Sequence, residues 1–490
     1  MPVRVTPDML VRVLGSWSTR NGPLYKSLAF SLQSAIERED LRPGMQLPSE
    51  RRLARAFAVS RTTVMSAYDL LRQQDLIVSR QGSGSFVKSW RQHRWSLSKH
   101  DRIPVSIQAA VPDNGDPAHD VIEFAAAAPA ADLVPPDVWT EATKAFEENV
   151  DHHGYEVLGI EQLRVSVAAH LSASGLPSSA DEILITNGAQ EAIMLAAALL
   201  VRPGDPVLIE DPTWIGAIDA FRTAGAKLVS VPVDSDGIIV RACRLATEEA
   251  GTPAGVLYTS PSFHNPSGAS MSEFRRRELA ALASDLGILI VEDNTLSELA
   301  LDGSPPLPMA SRITEPVITI GSMSKLFWGG LRIGWIRTSE ELMSRLARLK
   351  LVFDHGSSIP SQLLAMSLLG RVDEVRRDRR RQSQERLTLL TELLGEQIPD
   401  WKWHPPAGGL SLWVQMSLGN SLEFSQFARQ FGVGLIPGTM ASPGLAHGDR
   451  LRIPFVHEPA VLEMGVGRLS AAWTAYRELT RRRELTRPIV

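Results

Sequence analysis

The sequence predicts two units of different class: a small winged helix-turn-helix, all-α apart from its wing, and a large α/β unit with a mainly parallel central sheet and a smaller C-terminal α+β subdomain. Three observations predict this. Two short helical patterns near the start are separated by three to four residues, the spacing of a helix-turn-helix. From about residue 120, short apolar runs alternate with helical patterns, which builds a sheet covered on both faces. The charge is also divided: residues 1–100 hold 16 Lys and Arg against 7 Asp and Glu, net +9, and the rest hold 35 against 48, net −13. A basic first hundred residues suits an anionic partner.

With 490 residues and 44% hydrophobic content, the chain can bury more than one core. Its single cysteine, Cys243, excludes an internal disulfide framework and suits a reducing compartment. The start lacks a signal-peptide pattern, and no run approaches the eighteen apolar residues of a membrane helix. A cytoplasmic protein is expected.

In the small unit, Leu24 to Ile36 has apolar residues at helical spacing and stops near Leu41-Arg42-Pro43-Gly44, a turn signal. Ser49 is placed to cap a second helix ending near Ala58-Val59. Ser60 caps a third, with Val64, Ala67, Tyr68 and Leu71 facing inward. In that geometry the first turn of the third helix enters the major groove of DNA, so Ser60, Arg61, Thr62 and Thr63 face base edges or phosphates, with Arg51 on the adjacent helix start. Arg80, Gly82 and Gly84 fall on a two-stranded wing with a glycine tip near the duplex backbone. Pro43-Gly44, Leu47-Pro48-Ser49-Glu50-Arg51, Val59-Ser60-Arg61-Thr62-Thr63-Val64 and the run Arg80 to Val87 resemble the winged helix of GntR-type regulators almost position by position. The expected divisions are a DNA-binding domain over 20–88, a polar, Pro-bearing linker over 89–120, and a large domain over 121–480 with its small subdomain at about 365–480.

In the large unit the apolar runs at 182–186, 206–210, 255–259, 288–292 and 317–321 read as strands, and ligands of such sheets collect at the strands' carboxyl ends. The polar residues fall there: Gly188-Ala189-Gln190, Trp214, Asn265, Asp293, and Ser322-Met323-Ser324-Lys325. Together they supply what pyridoxal phosphate needs. Lys325 can form the Schiff base with the aldehyde, Asp293 can pair with the pyridinium nitrogen, and Asn265 can donate to the ring oxygen. Trp214 can stack on the ring. The phosphate would meet Gly188, Ala189 and Gln190 at a helix N-terminus, the hydroxyls of Ser322 and Ser324, and the fork of Arg332. No metal is expected.

These motifs resemble the type I fold of pyridoxal-phosphate aminotransferases over about residues 120–478. The resemblance implies that Arg452, in Leu451-Arg452-Ile453-Pro454-Phe455, binds an effector or substrate carboxylate, and that Tyr155 reaches the phosphate of a neighbouring subunit. One departure stands out: relatives usually read Glu-Asp-Asp-Tyr where this chain has Glu292-Asp293-Asn294-Thr295, so a phenol that would help hold the ring oxygen is missing. The arginines between Arg376 and Arg386 read as a solvated helix face.

A GntR-type winged helix joined to an aminotransferase-like domain resembles the MocR-type regulators. That resemblance implies a head-to-tail homodimer binding double-stranded promoter DNA, in which the cofactor or an amino compound biases DNA affinity by linkage. Two rivals remain: an active aminotransferase with an accessory DNA-binding domain, and a regulator whose large domain serves only dimerisation.

Overall fold

The computed structural model describes residues 5–14, 23–37, 40–41, 44–57, 59–73, 76–80, 84–88, 121–148, 153–249, 254–313 and 316–485. The chain divides into two units, Met1–Ile103 and Pro104–Val490. Gly82 and the linker expected over 89–120 lie outside the described residues, as does the side chain of Arg80.

The small unit contains α1 (Pro7–Leu14), α2 (Leu24–Glu37), α3 (Glu50–Ala56) and α4 (Arg61–Gln73), followed by β1 (Ile77–Arg80) and β2 (Gly84–Val87). Leu28 and Leu32 of α2, Leu53 of α3, and Val64, Tyr68 and Leu71 of α4 share one core. Leu10 and Leu14 of α1 join it, so the core draws in residues ahead of the family motifs. The Tyr68 hydroxyl donates to the Pro48 carbonyl at 2.9 Å, tying α4 to the chain entering α3. β1 and β2 pair antiparallel, with Ile77 opposite Val87 and Arg80 opposite Gly84.

The large unit opens with β3 (Ile122–Glu123) and is built on eight strands: β4 (Ile183–Thr186), β5 (Pro206–Asp211), β6 (Lys227–Asp234), β7 (Gly237–Ile238), β8 (Val256–Thr259), β9 (Leu289–Asp293), β10 (Val317–Ser322) and β11 (Gly334–Arg337). Their order is β4-β11-β10-β9-β8-β5-β6-β7, with β7 and β11 antiparallel to their neighbours and the rest parallel. Leu208, Leu257 and Ile290 pack on one face; Val207, Ile209, Tyr258 and Val291 pack on the other. Apolar runs on both faces are what made five of these strands legible. β6 escaped because Val231 alone is buried among exposed and half-buried positions, which leaves no continuous apolar run.

The C-terminal part adds β12 (Lys402–Trp403), β13 (Ser411–Gln415), β15 (Ile436–Pro437) and β16 (Arg450–Pro454) in one antiparallel sheet. β14 (Val433–Gly434) pairs in parallel with β3. Three helices matter below: α5 (Ala189–Leu200), α6 (Val372–Gln397) and α7 (Pro459–Leu485). α7 lays Leu462, Val466, Leu469 and Trp473 into the core under this sheet.

The arginine run corrects the sequence reading. It lies on α6, whose buried positions are Val372, Val375, Arg379, Ser383, Arg386, Leu390 and Leu394. That three-and-four spacing is one face of a helix, and two of the arginines fall on it. Arg376 pairs with Glu298 at 2.6 Å and Arg380 donates to the Ala300 carbonyl at 3.0 Å. Of the run, Arg377 and Arg381 are the exposed members.

Candidate cofactor site

Strand ends of the large sheet converge on a cavity of about 860 Å³, open mouth included, a size that suits a cofactor. β9 ends at the buried Asp293, whose carboxylate is held from two sides: the Tyr258 hydroxyl on β8 donates to Oδ2 at 2.6 Å and the Thr295 N–H donates to Oδ1 at 2.9 Å. Burial, and then the Asp293 charge, push the Tyr258 phenol well above its ordinary range, so it remains a donor at physiological pH. β10 runs through Ser322 into the turn that carries Lys325, whose Nζ donates to the Ala127 carbonyl at 2.8 Å. Burial pushes this lysine down to about 8; Arg452 adds to the fall, Asp293 opposes it, and Arg332 adds a smaller push. An amine so depressed is nucleophilic near neutral pH.

The other end of the cavity is built for an anion. α5 begins at Ala189 with Gly188 at φ 90° as its N-cap, and the first N–H groups of a helix have no partner inside it. Arg332, at φ 53°, lays its guanidinium against Gly188: a Cβ there would stand 3.1 Å from Nη2. Nη2 donates to the Asn187 carbonyl at 2.7 Å. Asn187 is fixed in turn, its side chain donating to Asp354 and its N–H to Glu191, each at 2.5 Å. The fully buried Lys350 gathers both carboxylates. Lys350 escaped the sequence reading because it looks like any helical lysine.

Two sequence expectations change in detail. Gln190 lines the cavity, but its side-chain amide is engaged elsewhere: Oε1 accepts from Trp214 Nε1 at 3.1 Å and Nε2 donates to the Gly216 carbonyl at 2.8 Å. Its side chain thus steadies the indole, and the backbone is left for an anion. Ser322 Oγ accepts from the Ser324 N–H at 3.2 Å, shaping the lysine turn. Ser324 Oγ and Thr295 Oγ1 line the cavity and are buried without a hydrogen-bond partner among the described residues. Orphaned buried hydroxyls are uncommon. A ligand bearing a phosphate and a ring oxygen would satisfy them, so the donor set fits pyridoxal phosphate.

Arg452, on β16, donates from Nη1 to Asn265 Oδ1 at 3.4 Å and from Nη2 to the Ala125 carbonyl. This leaves the Asn265 amide nitrogen as a donor. Arg452 is 5% exposed, its Nε lacks a partner, and burial alone pushes its pKa down to about 10; among the described residues no carboxylate pairs with it. Tyr155 does not join the cavity; its side chain stands 69% exposed near His153 and His355.

A further pair, not singled out from the sequence, backs the site. Glu210 accepts from Thr259 Oγ1 at 2.6 Å and the Ser260 N–H at 2.8 Å, with His264 Nε2 at 3.4 Å. Burial pushes Glu210 up to about 7 and His264 down to about 4, so both are neutral in between. The two carboxylates that end the apolar run of β5, Glu210 and Asp211, were the available signal.

In the small unit the predicted reader is contiguous. Ser49 holds the N-cap position of α3 but its hydroxyl makes no cap bond. Ser60 does cap: its Oγ accepts from the Thr63 N–H at 3.0 Å and lies 2.7 and 2.8 Å from the Thr62 and Thr63 hydroxyls. Arg51, Arg61 and Thr62 are exposed and Thr63 half-buried. Arg61 approaches Glu50 at 3.5 Å, bridging α3 and α4. Gly84 opens β2 at φ 99°, a backbone that favours glycine.

Comparison with known proteins agrees with both units. Residues 119–469 match the family described as aminotransferase class I and II, and residues 24–87 match the gntR family of bacterial regulatory proteins. The fold and site thus define a class: a GntR-type winged helix fused to a type I aminotransferase domain. The chain belongs to the MocR-type subfamily of GntR regulators. It is 32% identical to the HTH-type transcriptional regulator YisV of Bacillus subtilis over 93% of this chain and 96% of that protein. It is 29% identical to the probable rhizopine catabolism regulatory protein MocR of Rhizobium meliloti over 77% and 78%. The large unit is similar to the kynurenine aminotransferase of Pyrococcus horikoshii, crystallised with PMP, at a TM-score of 0.70 and 25% identity, covering 79% of this chain and 98% of that one.

Proposed function

We propose that this regulator binds pyridoxal phosphate at Lys325 and that its winged helix binds promoter DNA according to the occupancy of that site. The observation that carries this reading is the convergence of Lys325, Asp293, Asn265 and the Gly188–Arg332 cradle on one cavity, in a chain that also carries a DNA reader. When bound, pyridoxal phosphate supplies an electrophilic aldehyde and an electron-accepting ring. The protein supplies the rest. Lys325 is a depressed, nucleophilic amine; Asp293, fixed by Tyr258, offers a charge to the ring nitrogen. Arg452 is a buried guanidinium without a counter-charge among the described residues, a costly state that a ligand carboxylate relieves. The effector is therefore the cofactor itself or an amino compound bearing a carboxylate.

The exposure of Tyr155 supports a contact with a second copy of the chain. We take the active species as a head-to-tail homodimer in the cytoplasm, offering two readers to two half-sites. Linkage then requires that promoter DNA alter cofactor or effector affinity by the same factor that these alter DNA affinity.

The test is binding to DNA upstream of the protein's own gene, with and without pyridoxal phosphate, for the parent and Lys325→Ala at one salt concentration. Cofactor-dependent affinity that disappears in the variant supports the sensor. Equal binding in all four cases would sink it, and sustained keto-acid production from an amino donor would then make the enzyme reading the better one.

A further inference from the structure

Arg379 on α6 lies among the arginines first read as solvated, yet it is 2% exposed and all three of its guanidinium nitrogens are engaged. Nε donates to the Leu326 carbonyl at 3.2 Å and Nη2 to the Phe327 carbonyl at 3.3 Å, the two residues that follow Lys325. Nη2 also reaches the Ala130 carbonyl at 3.4 Å. Nη1 donates to Asp132 at 3.3 Å and to Gln382 at 2.6 Å. Ala130 and Asp132 close the stretch whose Ala127 carbonyl accepts from Lys325 Nζ and whose Ala125 carbonyl accepts from Arg452. One side chain therefore clamps the turn that carries the lysine to the segment that carries the lysine's acceptor.

We propose that Arg379 is a positioning residue for Lys325, fixing where Nζ lies and how far water reaches it by tying Leu326 and Phe327 to Ala130 and Asp132. Its importance for ligand binding rests on the reading of Lys325 as the cofactor lysine; its effect on the free lysine does not. The planar fork matters because it puts separate nitrogens on the two segments, Nε on the Leu326 carbonyl and Nη1 on Asp132, a spread that a compact ammonium lacks. The charged groups facing Lys325 are Arg452, Asp293 and Arg332, and the variants below leave all three in place.

The test uses the full-length, cofactor-free protein. Acetic anhydride labelling of Lys325 is followed by peptide mass spectrometry across pH, and pyridoxal phosphate release is timed separately after loading. In the parent the expected labelling midpoint is about 8, where burial holds the Lys325 amine. In Arg379→Lys and Asp132→Asn the turn loosens and water enters, so the midpoint rises by about one unit and release quickens about tenfold. Asp132 is 28% exposed at its side chain, so Asp132→Asn carries the test if Arg379→Lys does not fold. Asp378→Asn, which removes the partner of the exposed Arg381 on the same helix, leaves both readouts unchanged. An unmoved midpoint in a folded variant overturns the proposal, as does an equal shift in Asp378→Asn. A parent that labels normally at Lys325 but takes up no cofactor would defeat the proposed function alone.

Discussion

The winged helix and the candidate cofactor cavity are built in opposite ways. The reader's helix-turn-helix residues run from Glu50 to Thr63, stand largely exposed, and are held by bonds between near neighbours such as Ser60 to Thr63. The cavity's residues come from segments as distant as Ala125 and Arg452 and are held by long-range bonds to buried partners. A local site keeps its shape when one contact is lost. A non-local one depends on the fold around it, and each buried polar group left unpaired carries a large cost.

The contrast can be broken or sharpened by four variants, from the largest expected effect downward. Glu210→Gln probes the buried support. Glu210's folded pKa of about 7 lies above its ordinary 4.5, so its contribution to stability is full below 4.5 and is lost as pH rises to 7. His264's folded pKa of about 4 lies below 6.5, so its contribution is full above 6.5 and is lost as pH falls to 4. The two slopes oppose each other between 4.5 and 6.5. Removing the Glu210 titration should expose the His264 slope, a fall on the order of 3 kcal/mol from pH 6.5 to 4 in denaturant titrations of the large unit's transition. A variant whose stability stays flat across that window contradicts the assignment.

Asp293→Ala should weaken pyridoxal phosphate binding by about 1.5–3 kcal/mol, the worth of a hydrogen bond to a charged group, by equilibrium dialysis. DNA binding by the cofactor-free protein should be unaffected. If that DNA affinity fell as much, the separation of the two sites would be lost. Arg61→Ala should cost about 1–3 kcal/mol in DNA affinity if it contacts a base bidentately, with cofactor affinity unchanged. A change confined to the salt slope would place Arg61 on a phosphate instead.

Thr295→Tyr is the smallest. A phenol donating to the ring oxygen would stabilise that oxygen's negative charge and lower the titration midpoint of the bound cofactor's visible absorbance by about one pH unit. A midpoint equal to the parent's would remove the significance given to this departure.

Legibility followed the same division. Ser60 to Thr63 could be read directly because cap, turn and helix face are encoded in consecutive residues. That Lys325, Asp293 and Asn265 would line one cavity could be read because each follows an apolar run in a sheet whose strand ends collect ligands. Tyr258 could not, since a tyrosine within an apolar strand reads as core until β8 is set beside β9. Arg379 and Arg386 were misread because charge outweighed their place on the apolar face of α6.

By itself, then, the sequence determined the two classes of unit, the contiguous reader and the residue types at the strand ends, because those depend on periodicity, capping and turns between neighbouring residues. The tertiary structure decided the partners: Tyr258 for Asp293, Ala127 for Lys325, Asn187 for Arg332, and Arg379 between Phe327 and Ala130. These depend on which strands pair and which helix crosses them. No local pattern encodes that, because burial obliges each polar group to find its partner wherever the fold supplies one.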